Sequence, residues 1–360
     1  MAYCQGCDRL CLVARSPRRP RILDIAAQSG LSRATVDRVL HDRDGVRPET
    51  VAQVERAVAE LERQRTQASL SGRTLLFDLV MQAPERFSTA SRQALETELV
   101  SLSPAVLRSR AQVSEQSDPG AAAALLDKLV SRPSDGVILK APDHPLVEAA
   151  VARLAEAGIP VVTFVTDLPS SRRAAYVGVD NRAAGATAAY LVTRWSGDDG
   201  PVLVTLSSSL FHGEEEREAG FRAAMQELAP DRKVHEVTET DGLDARISAA
   251  VRSALVAEPG IAACYSIGGG NRAILGAFEE LGRGPAVFVG HDLDADNRRL
   301  LRSRRISAVL HHDLRADMRR ACRMLLQARG VLPGSPASVP SQIQVVTPFN
   351  EPSTLLADRD

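Results

Sequence analysis

Residues 22–61 read ILDIAAQSGLSRATVDRVLHDRDGVRPETVAQVERAVAEL. Ile22, Ile25 and Ala26 share one helical face, and Gly30 then breaks the pattern, as a residue tolerant of positive φ does just past a helix end. Ser32 follows, three positions before Thr35, and opens the run Val36, Val39, Leu40. Its hydroxyl suits an N-cap because it accepts from an orphan N–H of the first turn. A third amphipathic helix follows Pro48, with Val51, Val54, Val58 and Leu61 at helical spacing. Helix, Gly-containing turn and capped helix over 22–41 have the spacing of a helix-turn-helix, and three such helices bury a small core. With Val36, Val39 and Leu40 turned inward, Arg33, Ala34, Asp37 and Arg38 face outward near the helix N-terminus, where a groove-reading helix touches base edges. An Arg fork matches guanine O6 and N7, the Ala34 methyl suits a thymine methyl, and the Ser32 and Thr35 hydroxyls suit phosphates. An ordinary helical hairpin would also show a solvated face, so spacing alone leaves both readings open.

The chain has 360 residues, 44% hydrophobic and 25% charged, a globular composition that by length suggests roughly two to three domains. No apolar run approaches the 18 or so residues of a membrane span, so no membrane partner is expected. Met1 to Pro20 mix Cys, Arg and Asp without an apolar core, so neither a secretory signal nor a folded element is expected over 1–20. Five cysteines make no disulfide framework and fit a reducing cytoplasm. The net charge of −1 hides an asymmetry: Met1 to Arg73 carries +4 and the remainder −5. A basic head on an acidic body suits a head that meets a polyanion.

From Leu75 onward, short apolar runs alternate with amphipathic stretches. The runs include LLFDLV (75–80), GVIL (136–139), PVVTFV (160–165), AYVGV (175–179), PVLVTL (201–206), IAACYSI (261–267), AVFVG (286–290) and ISAVL (306–310). HPLVEAAVARLAEAG (144–158) is one of the helical patterns between them. The alternation predicts parallel sheets covered by helices on both faces, and about 270 residues suit two such layers, with a ligand cleft between them at the carboxyl ends of strands.

The string from Ile22 to Leu61 closely resembles the DNA-binding head of the lactose-repressor (LacI/GalR) family of bacterial transcription regulators, through D-I-A, S-G-L-S-x-A-T-V-x-R-V-L, G-V-R-P-E-T and the closing E-L. The resemblance implies that Arg33, Ala34 and Arg38 read bases while Ser32, Thr35 and His41 touch the DNA backbone. Two positions depart from the pattern: Arg21 stands where a capping Thr is usual, and Asp37 replaces a common Ser or Asn. Family members continue with a Tyr-x-Pro-Asn segment and a hinge helix whose Leu wedges into the minor groove. Here Leu70 with Ser71-Gly72-Arg73 matches the end of that hinge, but the Tyr, Pro and Asn are missing and the segment is shorter. Leu70 is therefore expected to be the wedge.

YVGVDNRAAGATAAYLV (176–192), EREAGFRAAM (216–225), GGGNRAILGAFEELG (268–282), VGHDLDADNRRLL (289–301) and ISAVLHHDLRADM (306–318) fall in order where sugar-binding bodies of this family carry their signatures. The resemblance implies an α/β fold: a small all-α helix-turn-helix head on a two-lobe, periplasmic-binding-protein-like body of parallel sheets flanked by helices. It places the head at 21–66, a linker at 67–74, the body at 75–347 and a tail at 348–360. The three interlobe crossings are expected near 195–200, 291–300 and 330–340, giving lobe 1 about 75–195 and 296–332, and lobe 2 about 198–293 and 338–347. Carried across residue by residue, Arg217 and Asp292 match the Arg and Asp that bond sugar hydroxyls. Asn271 and His312 lie where polar contacts are usual, Asp167 is near another, and Phe87 occupies the region of stacking aromatics. Polyols need fixed planar donors and acceptors and a covered apolar ring face, which these residue types supply.

No catalytic constellation is found. Gly268-Gly269-Gly270 lacks the rest of a phosphate loop, and neither G-x-S-x-G nor H-E-x-x-H occurs, so His291 reads as cleft lining beside Asp292. Cys4, Cys7 and Cys11 have metal-like spacing but no nearby fourth ligand, so neither metal nor cofactor is expected. Trp195 is expected in the core. The expected function is a cytoplasmic, homodimeric, non-enzymatic repressor that binds a pseudo-palindromic double-stranded operator and is released by a small sugar. The alternatives are a co-repressor-dependent regulator or activator, and a sugar-binding transport protein. The tail lacks leucine heptads, so no tetramerising coiled coil is expected.

Overall fold

Gly30 adopts a left-handed conformation, φ 69°, and so ends α1 (Ile22–Ser29) where the chain turns toward α2 (Arg33–Leu40). The Ser32 hydroxyl caps α2 by accepting from the Thr35 amide at 3.1 Å. These elements belong to a computed structural model that describes residues 20–197 and 200–352. Cys4, Cys7, Cys11 and the tail beyond residue 352 lie outside the described residues. Pro48, at a position that needs no amide donor, starts α3 (Pro48–Leu70). Ile25, Val36, Val54 and Ala57 form the head's core, with Val39, Val58 and Leu61 packed around it. Leu40, expected inside, is exposed, because Val36, one turn earlier, and Val39 beside it close the core.

α3 does not stop where the linker was expected. It runs unbroken through residue 66 to Leu70, and the chain turns only at Ser71 and Gly72, the latter at φ 71°. Residues 62–69, ERQRTQAS, hold no Gly or Pro and are mostly good helix formers, so nothing ends the helix sooner. Leu70 itself is 2% exposed, packed with Leu75, Phe77, Leu99 and Leu102 in the core of the adjoining lobe.

That lobe is built on β1 (Thr74–Gln82), β2 (Val106–Ser114), β3 (Gly136–Lys140), β4 (Val161–Phe164) and β5 (Ala175–Val177). They form a parallel sheet in the order β2-β1-β3-β4-β5. α4 (Glu85–Ser101), α5 (Pro119–Val130) and α6 (Pro145–Glu156) cover it. The second sheet comprises β6 (Val202–Thr205), β7 (Val234–Val237), β8 (Ala263–Ser266), β9 (Val287–His291), β10 (Ala308–His311) and β11 (Gln344–Val346). Its order is β11-β10-β9-β8-β6-β7, parallel except where β11 pairs antiparallel with β10. The central strands are buried throughout and read as unbroken apolar runs, which is why they were legible in sequence. β2, a sheet edge with alternating exposure, and the short β7 and β11 gave no such signal.

Two of the three crossings lie elsewhere than expected. Ala184, Ala188 and Val192 of α7 (Asn181–Trp195) pack with Val202, Val204 and Tyr265, so α7 belongs to the second lobe and the first crossing is at 178–180. α11 (Ala295–Arg302) buries Leu300 and Leu301 against Phe288 and Val309, and β10 completes the same sheet. The second crossing therefore falls at His312 and Asp313, and the next helix, α12 (Leu314–Ala328), returns Met318, Ala321 and Leu325 to the first lobe. The third crossing brings Ser341 beside Val179. Lobe 1 is thus 74–177 with 314–332, and lobe 2 is 181–311 with 343–346. Apolar faces of α7 and α11 look alike whichever sheet they cover, so periodicity did not assign them. Trp195, at the end of α7, is 45% exposed rather than in the core.

Candidate functional site

On the head, Arg33, Ala34 and Arg38 are exposed, as a base-reading face requires, and Thr35 is half-buried. Without a partner their polar neighbours satisfy one another. Arg38 Nη2 donates to the Asp44 carbonyl at 2.5 Å. Asp37 sits between Arg43 at 3.3 Å and His41 at 3.2 Å, so its carboxylate is screened from the outward face it would otherwise make negative.

The cleft lies between the lobes at the carboxyl ends of their strands. Among the bonds that draw the lobes together are Gly213 N to Thr166 Oγ1 (2.9 Å), Asp143 N to Leu210 O (2.8 Å), Ser117 N to Asp241 Oδ1 (3.1 Å) and Arg86 Nη2 to Gly242 O (2.9 Å). Arg217 enters from α8 (His212–Leu228), which packs on α7 so closely that a Cβ at Gly185 would collide with the Arg217 carbonyl and one at Gly220 with that of Arg182. That packing fixes the Arg217 side chain, whose Nε donates to Asn181 Oδ1 at 2.8 Å. Asn271 opens α10 (Asn271–Glu280) and Asp292 follows β9 at φ 63°, a left-handed conformation costly for Asp that turns the residue into the cleft. Phe87, in the first turn of α4, lines the opposite wall.

The other two expected contacts go elsewhere. Asp167 accepts from Thr163 Oγ1 (2.7 Å) and the Leu168 amide (2.8 Å) and pairs with Arg173, within lobe 1 and away from the cleft lining. Burial opposes its charge, but Arg173 outweighs burial and holds the carboxyl below its usual value. Val165, two residues before it, takes a positive φ of 67°, and Thr166 rather than Asp167 reaches across to lobe 2.

His312 lies beneath the cleft instead of in it, 2% exposed. Its Nδ1 is 2.5 Å from Asp317 Oδ2 in lobe 1, and its Nε2 is 3.5 Å from Asp292 Oδ1 in lobe 2, an ion-pair distance without a hydrogen bond. Burial disfavours the imidazolium, but the two carboxylates outweigh it and push its pKa up to about 9. Burial likewise opposes the Asp292 carboxylate, and His312 overcomes it, holding that group well below its usual range. Asp317 Oδ1 also accepts from Ser341 Oγ at 2.6 Å, and Ser341 N donates to the Gly178 carbonyl at 2.8 Å. The contacts behind Asp292 thus run through all three crossings.

Among the cleft residues that sequence reasoning missed are three that carry charges at its centre or mouth. Lys140 ends β3; its buried ammonium donates to the Gln82 carbonyl at 3.0 Å and lies 3.8 Å over the Phe211 ring. Burial lowers its pKa to about 8. It directly follows the apolar run GVIL, so extending that run by one residue would have found it. Glu214 accepts from the Ser207 amide (2.7 Å) and hydroxyl (2.6 Å), its signal lost among three consecutive Glu. Arg86 bridges the cleft mouth, one residue before Phe87. Among the described residues no cluster of three or more His, Cys, Asp or Glu could hold a metal ion, and no helix is long and apolar enough to cross a membrane.

Comparison with known proteins matches residues 21–64 to the family model "Bacterial regulatory proteins, lacI family" and residues 80–330 to "Periplasmic binding protein domain". Among curated proteins none matches the chain. Solved structures share the fold of the body. The glucose-galactose binding protein GanP from Geobacillus stearothermophilus aligns with TM-score 0.70 at 20% identity, over 78% of this chain and 99% of its own. A Bacteroides fragilis protein described as a LacI transcriptional regulator aligns with TM-score 0.69 at 16% identity, over 77% and 98%. A solute-binding protein of an ABC transporter from Burkholderia graminis C4D1M, in complex with D-arabinose, aligns with TM-score 0.68 at 21% identity, over 79% and 98%.

Proposed function

The chain belongs to the lacI family of bacterial regulatory proteins and carries a periplasmic binding protein domain as its body, and from that premise we propose that it is a sugar-responsive repressor. In this reading two copies bind a pseudo-palindromic operator in the cytoplasm, the exposed Arg33, Ala34 and Arg38 reading bases while Ser32, Thr35 and His41 meet the phosphate backbone. A small sugar occupies the cleft between Phe87 on one wall and Arg217, Asn271 and Asp292 on the other. Occupancy changes how the lobes sit on each other, and operator affinity falls by the difference in the ligand's affinity for the two arrangements, and by no more.

The observation that carries the reading is the join. One unbroken helix, α3, contributes Val54 and Ala57 to the core of the head and Leu70 to the core of lobe 1, so a change in lobe 1 reaches the head through a stiff element. Genomic footprinting with the purified protein tests it, followed by gel shifts at the sites found, with and without the sugars that neighbouring genes would handle. The expected result is protection of pseudo-palindromic sites that one sugar relieves. Protection that the sugar strengthens would make it a co-repressor-dependent regulator, and binding without sequence preference would overturn the proposal.

A further inference from the structure

The phase of α3 sets where the head points. Val54 is buried in the core of the head and Leu70 in that of lobe 1. At 3.6 residues per turn, Leu70 lies about 160° around the helix from Val54, so head and lobe grip nearly opposite faces of one element. Between the two grips, residues 62–69 are exposed apart from half-buried Thr66 and Ser69, and span about 12 Å at 1.5 Å per residue. Two turns of helix are marginal in water by themselves, and these are held from both ends. On the head side, Gln53 Nε2 donates to the Ser29 carbonyl at 2.7 Å, Gln64 Nε2 to Glu60 Oε1 at 3.1 Å, and Arg65 reaches back to Asp24 of α1 at 3.3 Å. On the lobe side, Ser71 N donates to the Gln67 carbonyl and Arg73 Nε to that of Ser69, and the chain enters β1 at Thr74.

No Gly or Pro lies between Pro48 and Gly72, so no residue there supplies a pivot. Drawing Leu70 out of lobe 1 would open a cavity in that core, which opposes any swing of the head that starts at the helix end. The head is therefore placed by two quantities, the phase and the length of α3. Each residue added or removed would turn it by about 100° and shift it by about 1.5 Å. Two heads carried by two copies then stand at one separation and one facing. DNA resolves such a difference, because one base pair moves a half-site by about 3.4 Å and about 34° around the duplex axis.

We propose, resting on the reading of the protein as a dimeric operator-binding regulator, that α3 is a strut folded before DNA arrives, that Leu70 is the positioning residue anchoring it, and that the strut selects one half-site spacing. Two measurements on the full-length protein test this. The first is amide hydrogen exchange over 62–70. Protection is expected in the free protein and with the footprinted site alike, whereas fast exchange that slows only with DNA marks a segment that folds on binding and overturns the strut. The second is a series of gel shifts on that site with one to four base pairs inserted, or one or two removed, at its centre. Wild type should lose at least about tenfold in affinity for a change of one or two base pairs, because only one head can then engage. Combining Arg65→Gly, Thr66→Ser and Gln67→Gly should flatten the profile to within about threefold and leave affinity for an isolated half-site unchanged. Leu70→Ala should broaden it and Leu70→Met restore it. Equal wild-type affinity across the spacings overturns the proposal and leaves a sequence-specific regulator in place. A wild-type profile in the folded triple variant overturns α3 as the selector, and one in folded Leu70→Ala overturns Leu70 as its anchor. Binding without sequence preference overturns the regulator reading and the spacing rule with it, while protection of 62–70 decides the strut on its own.

Discussion

Head and body place their functional side chains by different means. In the head, every residue expected to meet DNA except Leu70 lies between Ser32 and His41, and the phase of one capped helix decides which of them face out. In the body, the cleft collects Phe87, Lys140, Arg217, Asn271 and Asp292 from strand ends and the N-terminal halves of helices spread over two lobes. A residue there can face the ligand or slip beneath it with no change in local pattern. Asp292 and His312 both follow apolar strands, yet the first lines the cleft and the second lies under it. A surface that reads a repeating polymer can be built from one local element, whereas an enclosed ligand needs walls from several directions.

The largest expected effect tests whether the two regions are separable. Arg217→Met and Asp292→Asn should each weaken the best sugar by about 2–5 kcal/mol, because a buried polar partner is left without its mate. Operator affinity in the absence of sugar should stay unchanged. Titration calorimetry and gel shifts on the same preparations check both, and a parallel loss of operator binding would break the separation.

The join comes next. Leu70 is buried in the core of lobe 1, so Leu70→Ala should destabilise that lobe by about 2–5 kcal/mol, the usual cost of such a truncation. Hydrogen exchange should report the loss in β1 and α4 and spare lobe 2. A minor-groove wedge would behave otherwise: the variant would keep its stability, and circular-permutation assays would show reduced DNA bending. Confined to the head is Arg38→Ala, expected to cost about 1–3 kcal/mol on the operator and little on random DNA, with sugar affinity intact. Equal discrimination by the variant would move base reading off α2.

The smallest effect is a pH dependence confined to the body. The folded pKa of His312, about 9, stands above its ordinary 6.5, so its stabilisation is complete below about 6.5 and is lost as pH rises through 9. Asp292 and Asp317 are depressed, so theirs is present above the ordinary carboxylate value of 3.8 and is lost on acidification through the lowered values. Lys140 opposes His312: its pKa is lowered from 10.5 to about 8, so the body gains stability across that interval as pH rises. The informative quantity is therefore the difference in melting temperature between wild type and His312→Gln from pH 6.5 to 9. It should shrink with rising pH, and a constant difference would remove His312 from its place between the two carboxylates.

Sequence alone determined the three head helices, with Gly30 and Ser32 marking the turn, and the alternation of buried strands with helices that makes the body. Both rest on periodicities that neighbouring residues set among themselves. The family resemblance, carried over residue by residue, also pointed to Phe87, Arg217, Asn271 and Asp292, and all four line the cleft. Tertiary structure alone decided the rest. α7 and α11 could have covered either sheet, α3 could have ended before Leu70, and Asp167 could have faced the cleft had Arg173 not claimed it. Such choices turn on which buried surface or opposite charge the fold brings within reach, often from far along the chain, and no local period records that.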